Sequence, residues 1–108
     1  MPVPEITVAE LEQLLEQGRR PALLDVRQRW EHEKVALPGS LLIPLDQLPD
    51  RLDELEGLRD RPVVVYCHHG VRSLGGAALL NANGFQARSL EGGIERFAVE
   101  VDPTLPRY

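Results

Sequence analysis

The run Pro62-Val63-Val64-Val65-Tyr66 constrains the fold of this 108-residue chain more than any other segment. Consecutive β-branched residues favour extended backbone, and an unbroken apolar run is typical of a strand that is buried on both faces. Such strands occur in parallel sheets that helices cover on each side. We therefore expect residues 62–66 to form a central strand of an α/β sheet.

Shorter apolar runs alternate with helical patterns along the rest of the chain, which is typical of an α/β domain. The prediction is a mostly parallel sheet of about five strands, with helices on both faces. Thr7 and Glu10 have the spacing of a capping box, so a helix should follow Thr7. Leucines recur at helical spacing between positions 45 and 58, which predicts one helix over most of residues 46–57 with Pro49 in its first turn. The other predicted elements are strands near residue 6 and within 22–26, 41–43 and 85–90, and helices at 30–33, 72–83 and 94–98.

Length and composition limit the possible classes of protein. The length fits one domain over residues 1–108, with a core at about 5–99 and an extended tail at 100–108. A net charge of −5 argues against nucleic-acid binding, and no apolar run approaches the roughly 20 residues that cross a membrane.

The start of the chain lacks the pattern of a signal peptide, and a single cysteine excludes an internal disulfide. We expect a cytoplasmic monomer.

Residues 67–73, Cys-His-His-Gly-Val-Arg-Ser, follow the central strand and precede a predicted helix. Ligands of parallel α/β sheets usually bind at this kind of junction. A loop that curls between Cys67 and Arg72 could aim several N–H groups at one point, and Gly70 supplies the backbone freedom for such a curl. These surroundings favour a thiolate or a persulfide anion on Cys67.

Other interpretations of this segment are weighed against that chemistry. A single cysteine beside a buried strand is often only a small core residue. His68 and His69 suggest a metal site, but the paired ligand spacings of zinc are absent and adjacent histidines tend to point in different directions. A Cys–His pair for acyl transfer lacks a third, orienting group.

Five blocks of the sequence, in order, resemble the rhodanese homology family. They are LLDVR at 23–27, WEHE at 30–33, PGS with LLIPL at 38–45, VVYC through RS at 64–73, and GF with LEGGI at 84–94. The resemblance covers nearly the whole chain. It departs from the family at Ala36, where a histidine is common, and in the closing helix, where Phe97 follows Glu95-Arg96 and a tryptophan is common.

The resemblance implies a sulfurtransferase that takes sulfur from a donor such as thiosulfate and passes it to cyanide, a thiol or a protein. The catalytic residue would be Cys67, as a persulfide, with no metal or other cofactor. The partners would be a small anionic sulfur donor and a thiol or protein acceptor. The loop that surrounds the sulfur would be His68, His69, Gly70, Val71, Arg72 and Ser73.

Three alternatives stay open beside this assignment. The chain could be a persulfide carrier for one dedicated protein, or a non-catalytic interaction module. Phosphatases and arsenate reductases of related fold also pair a cysteine with an arginine, but their loop is one residue longer. Here four residues separate Cys67 from Arg72, and the shorter loop favours sulfur over a phosphate group.

Asp25 and Arg27 follow another buried strand and should lie at the same sheet edge as Cys67. They are predicted either to form a polar network with Arg72 or Glu33 that supports the loop, or to form a surface ion pair worth about 0–1 kcal/mol. Trp30 is predicted to contribute packing rather than a substrate contact.

Overall fold

The computed structural model describes residues 2–108 and contains one five-stranded sheet. The strands are β1 (Glu5–Ile6), β2 (Ala22–Asp25), β3 (Leu41–Leu42), β4 (Pro62–Tyr66) and β5 (Gln86–Leu90). Their order across the sheet is β1-β5-β4-β2-β3, and every neighbouring pair is parallel. The apolar run at 62–66 is therefore the central strand, and the prediction of a parallel α/β sheet is confirmed.

Helices cover both faces of the sheet. They are α1 (Val8–Glu16), α2 (Arg29–Lys34), α3 (Arg72–Ala82) and α4 (Gly93–Glu100). The core on one face joins α3 to alternate residues of β4, such as Val63 and Val65. The core on the other face joins α1 and α4 to Val64 and Tyr66. Within residues 2–108 no helix combines the length and apolar character needed to cross a membrane.

The capping box at the start of α1 is present. Glu10 N–H donates to Thr7 Oγ1 at 3.1 Å, and Thr7 N–H donates to Glu10 Oε1 at 2.9 Å. These bonds satisfy two of the amides that have no partner inside the helix. The predicted beginning of this helix is confirmed.

The single helix predicted over residues 46–57 is wrong. Two 3₁₀ segments, Leu48–Asp50 and Leu52–Leu58, occupy this region instead. Pro49 has no N–H to donate to an α-helical bond, and Arg51 at φ −126° separates the two segments. The leucine spacing still predicts burial correctly, since Leu48 and Leu55 are both buried.

The tail after α4 differs from the extended conformation predicted for residues 100–108. Residue 100 is the last residue of α4, and the chain then turns, with Asp102 N–H donating to the Phe97 carbonyl at 2.9 Å and Leu105 N–H donating to the Asp102 carbonyl at 3.2 Å. The turn returns the chain to the sheet edge, where Tyr108 contacts the loop after β4. Residue 1 of the predicted domain lies outside the described residues.

Candidate active site

The sulfur of Cys67 accepts hydrogen bonds from two backbone amides. Cys67 is the first residue after β4, and the loop to α3 curls around its side chain. The N–H groups of Gly70 and Ser73 point at Sγ, with N···S distances of 3.1 and 3.3 Å. Ser73 lies in the first turn of α3, so one of these amides has no partner inside the helix. The loop therefore presents partial positive charge to the sulfur.

The Cys67 side chain is also 1% exposed. Burial alone would agree with the interpretation of this cysteine as a small core residue. A core cysteine, however, has no need of amides aimed at its sulfur, and here two donate to it. The arrangement is a buried thiol in a polar cradle, which is suited to holding negative charge.

Two hydroxyl groups lie behind the sulfur. Ser73 Oγ is 3.4 Å from Cys67 Sγ and 2.7 Å from the Oγ of Ser89 on β5. Both serines are fully buried. Ser73 was among the predicted loop residues, whereas Ser89 was not, because it is 16 residues away in sequence and carries no motif of its own.

The loop rests on the start of α4. Ile94 N–H donates to the Cys67 carbonyl at 2.9 Å, and Glu95 N–H donates to the His68 carbonyl at 3.0 Å. A Cβ atom on Gly93 would lie 2.4 Å from the His68 carbonyl oxygen, so only glycine permits this approach. Gly70 has φ 96°, the left-handed backbone that the predicted curl requires. The "GGI" block of the sequence thus supports the cysteine loop.

Arg72 forms an ion pair with Glu31 of α2 instead of contacting Cys67. Its Nη1 and Nη2 donate to Glu31 Oε1 and Oε2 at 2.7 and 2.9 Å. The hydrogen bonds from Arg72 hold the pKa of the Glu31 carboxyl at about 2, despite the opposing effect of burial. Glu31 was not predicted as a site residue, although it lies in the WEHE block that carries the family resemblance.

Asp25 and Arg27 form a fully buried pair, so the alternative of a surface ion pair is wrong. Arg27 Nε and Nη2 donate to the two carboxylate oxygens of Asp25 at 2.9 and 2.7 Å, and Nη2 also donates to the Val35 carbonyl at 2.6 Å. Burial disfavours the charged guanidinium, but the hydrogen bonds with Asp25 and Tyr108 outweigh it and raise the pKa of Arg27. The pair does not contact Arg72 directly, and Glu33 is exposed.

Tyr108 connects these two ion pairs, and sequence reasoning missed it. Its hydroxyl donates to Glu31 Oε2 at 2.7 Å and accepts from Arg27 Nη1 at 2.8 Å. Burial raises the pKa of Tyr108 to about 12, so the phenol stays protonated and able to donate. A polar network of the predicted kind therefore exists, and it runs from the Asp25–Arg27 pair through Tyr108 and Glu31 to Arg72.

Aromatic rings stack along the outer side of the loop. The His68 ring lies between Tyr108, at 3.9 Å between centroids, and His69, at 4.0 Å. The expectation that the two histidines point in different directions is wrong, since their planes differ by 29°. Trp30 meets the edge of Tyr108 at 5.8 Å but is 61% exposed, so its packing lies at the surface.

The remaining predicted loop residue, Val71, projects into solvent and is 75% exposed. His69 is exposed as well, whereas Gly70 and Ser73 are buried beneath them. Among residues 2–108, no cluster of three or more His, Cys, Asp or Glu side chains has a metal-binding arrangement. The loop thus has an inner side of amides and hydroxyls around Cys67 and an outer side that solvent can reach.

Comparison with known proteins identifies the class. The model of the rhodanese-like domain family matches residues 7–100, and the chain belongs to this family. Among solved structures, a rhodanese-like domain protein from Staphylococcus aureus is 30% identical and superposes with a TM-score of 0.82 over 97% of this chain and 98% of that one. A rhodanese-related protein from Thermoplasma volcanium is also 30% identical, with a TM-score of 0.81 over 91% and 93% of the two chains.

Several of the curated relatives are named as sulfurtransferases. The probable adenylyltransferase/sulfurtransferase MoeZ of Mycobacterium tuberculosis is 38% identical over 95% of this chain, which spans only 26% of that protein. The putative sulfurtransferase YtwF of Bacillus subtilis is 28% identical, over 95% of this chain and 98% of its own length. The chain is therefore a rhodanese-like domain whose relatives include both a protein of its own size and larger multifunctional ones.

Proposed function

We propose that the protein transfers sulfane sulfur through a persulfide on Cys67. The observation that carries the proposal is the pair of amides, from Gly70 and Ser73, that donate to the Cys67 sulfur. They stabilise negative charge on sulfur without supplying an acid that would protonate it. Cys67 is also the only thiol of the chain, so no second cysteine competes to resolve a persulfide as a disulfide.

In the first step the Cys67 thiolate attacks the outer sulfur of a donor such as thiosulfate. A bond forms between Sγ and that sulfur, the S–S bond of thiosulfate breaks, and its electron pair leaves with sulfite. The product on the enzyme is the persulfide anion, with the same net charge as the thiolate. The loop therefore surrounds one negative charge both before and after the step. Its fixed amides can stabilise the thiolate and the persulfide anion alike.

In the second step an acceptor nucleophile attacks the outer sulfur of the persulfide. Cyanide leaves as thiocyanate, whereas a thiol or a protein acceptor carries the sulfur away as its own persulfide. The S–S bond to Cys67 breaks, and the electron pair returns to Sγ as the thiolate. The cycle is redox-neutral, so the proposal needs neither a metal nor an organic cofactor.

Burial of the sulfur imposes a condition on both steps. Because Cys67 is 1% exposed, a donor can reach its sulfur only if the surrounding loop moves. Exposed Val71 and His69 on the outer side of the loop are then the first residues that a donor or acceptor meets. A small anionic donor and a protein acceptor are the partners proposed, in a reducing compartment such as the cytoplasm where a single thiol stays free.

The experiment is a mass measurement of the intact protein after treatment with thiosulfate. The wild type should gain the mass of one sulfur atom and lose it again on addition of cyanide, with thiocyanate as the product. Cys67→Ser should gain nothing. Ser40→Ala is a matched control, because it removes a hydroxyl that bonds Tyr66 and the Leu37 carbonyl without touching the loop. A wild type that gains no sulfur contradicts the proposal.

The same preparation separates the alternatives. A dedicated carrier should load sulfur but return little thiocyanate over repeated turnovers, and should release its sulfur to a protein acceptor. An interaction module should not load at all. Hydrolysis of a phosphate ester that depends on Cys67, with no uptake of sulfur, would favour a phosphatase.

A further inference from the structure

The buried hydroxyl of Ser89 has one hydrogen-bond partner among the described residues. Ser89 lies in β5, in register with Val65 of the central strand, and its Oγ is 2.7 Å from Ser73 Oγ. Its side chain is fully buried, away from bulk solvent. A buried hydroxyl whose proton finds no acceptor is costly, and this proton can be satisfied only by Ser73 Oγ.

This requirement sets the direction of the hydrogen bonds that join Ser89, Ser73 and Cys67. If Ser89 donates to Ser73 Oγ, the Ser73 hydroxyl cannot donate back along the same line. With a protonated thiol, the 3.4 Å contact has Cys67 Sγ as the donor and Ser73 Oγ as the acceptor. Once the sulfur is deprotonated it can only accept, and the Ser73 proton then goes to the sulfur. The sulfur thereby gains a third donor beside the two amides, and the donation from Ser89 polarises the Ser73 hydroxyl and strengthens its bond to sulfur.

Donation from Ser89 to Ser73 and from Ser73 to Cys67 suits a negatively charged sulfur. A thiolate or persulfide only accepts, so the order Ser89 to Ser73 to Cys67 leaves every hydroxyl proton bonded. A protonated thiol in the same place leaves one of the three protons without an acceptor. The two serines thus offer the unprotonated sulfur a third hydrogen-bond donor beside the amides of Gly70 and Ser73.

We infer that Ser89 is a positioning residue, which acts through the Ser73 hydroxyl to direct a hydrogen bond to the Cys67 sulfur. The inference rests on the proposed function for its meaning, since it assigns Ser89 a part in holding the sulfur anion. Ser89 touches neither the sulfur nor any substrate, and its effect passes through Ser73 alone. A serine that served only to fill space on β5 would lack this dependence on Ser73.

The test is a pH titration of the thiolate absorbance in the ultraviolet, for wild type, Ser89→Ala, Ser73→Ala and the double variant. The single cysteine gives the signal, and Cys67→Ala supplies the baseline. The two tyrosines do not overlap with it, because burial raises the pKa of each to about 12. We expect Ser89→Ala to move the thiolate midpoint upward by about half a pH unit or more, equivalent to a threefold or larger loss of thiolate stabilisation.

The double variant distinguishes positioning from packing. Ser89→Ala should have no further effect on the midpoint once Ser73 is alanine, because the group through which it acts is gone. Ser89→Thr retains a hydroxyl and should keep the midpoint of the wild type. Ser40→Ala should leave the midpoint unchanged.

A Ser89→Ala variant that folds and keeps the wild-type midpoint overturns the inference. Equal shifts from Ser89→Ala in the presence and absence of the Ser73 hydroxyl overturn it as well. The titration uses no sulfur donor, so its outcome is independent of the mass measurement. A wild type that fails to load sulfur would contradict the proposed function and leave the titration to decide the role of Ser89.

Discussion

The phenol ring of Tyr108 stacks on the imidazole of His68, with centroids 3.9 Å apart and planes 10° from parallel. His68 is the residue next to Cys67, and the hydroxyl of Tyr108 bonds Glu31, the partner of Arg72. Tyr108 therefore holds the cysteine loop at two points, through a ring at its beginning and through an ion pair at its end. Tyr108 therefore connects the segment after α4 to the candidate site.

Tyr108→Phe separates these two contacts. The variant keeps the stacked ring but removes the hydroxyl that bonds Glu31 and Arg27. Since hydrogen bonds to charged groups contribute about 1.5–3 kcal/mol, the free energy of unfolding should fall by roughly that amount. Denaturant unfolding measures the loss, and Tyr108→Leu, which also removes the stack, should lose more. A Phe variant as stable as the wild type would show that the hydroxyl contributes nothing.

Glu31→Gln tests the ion pair with Arg72. The amide keeps the size of the side chain but not its charge, so the unfolding free energy at neutral pH should fall by about 1–3 kcal/mol. The pKa of the Glu31 carboxyl is about 2 in the folded protein, below its usual 4.5. The ion pair therefore stabilises the fold above about pH 4.5, and this contribution is lost as the pH falls toward 2.

The measurement is the unfolding free energy of both proteins at about pH 7 and about pH 3. The difference between wild type and Glu31→Gln should shrink at the lower pH, because the wild-type carboxylate then gains its proton on unfolding. A difference that stays the same at both pH values would mean that the charge of the Glu31 carboxylate is not the source of the loss. Glu54→Gln is a control, since its ion pair with Arg51 lies at the surface and should change stability little.

The sequence predicted the features that depend on local chemistry. The valine run identified the central strand, the Thr7–Glu10 spacing identified a helix start, and the position of Cys67 after the strand identified the loop. Each of these follows from residues within one turn or one strand of each other. The 3₁₀ segments were missed because leucine spacing reports which side chains are buried and does not report which backbone bonds form.

The partners of the loop could not be predicted because they are distant in sequence. Glu31 lies 41 residues from Arg72, and Tyr108 lies 77 residues from Glu31. Only the parallel sheet, which brings the carboxyl ends of its strands to one edge, makes these residues neighbours. A pattern of residue types along the chain contains no record of such pairings.

Gly93→Ala tests the support that α4 gives to the loop. Its Cβ would meet the carbonyl oxygens of His68 and Cys67 at 2.4 and 2.6 Å, and its φ of 63° already disfavours a side chain. The loop must therefore shift, and we expect the rate of sulfur loading to fall tenfold or more with a stability loss of about 1–3 kcal/mol. Mass spectrometry and denaturant unfolding measure the two effects. Gly57→Ala is the matched control, since its Cβ would meet nothing within 4 Å.

Protonation of His68 should lower the free energy of unfolding as the pH falls below neutrality. Burial and the neighbouring His69 lower the pKa of His68 below its usual 6.5, and Nε2 is buried without a partner that could accept its proton. A histidine with a lowered pKa binds its proton more readily in the unfolded chain. Its contribution is therefore complete above about pH 6.5 and is lost progressively below that value.

His68→Phe keeps a ring for the stack on Tyr108 but cannot take up a proton. We expect the wild type to lose more unfolding free energy than this variant between about pH 7.5 and pH 5.5, a range above the titration of Glu31. Denaturant unfolding at the two pH values measures the difference. An equal loss in both would mean that His68 takes its proton in the folded protein as easily as in the unfolded chain. A larger loss in the wild type would establish that the stacked ring is held in its neutral form.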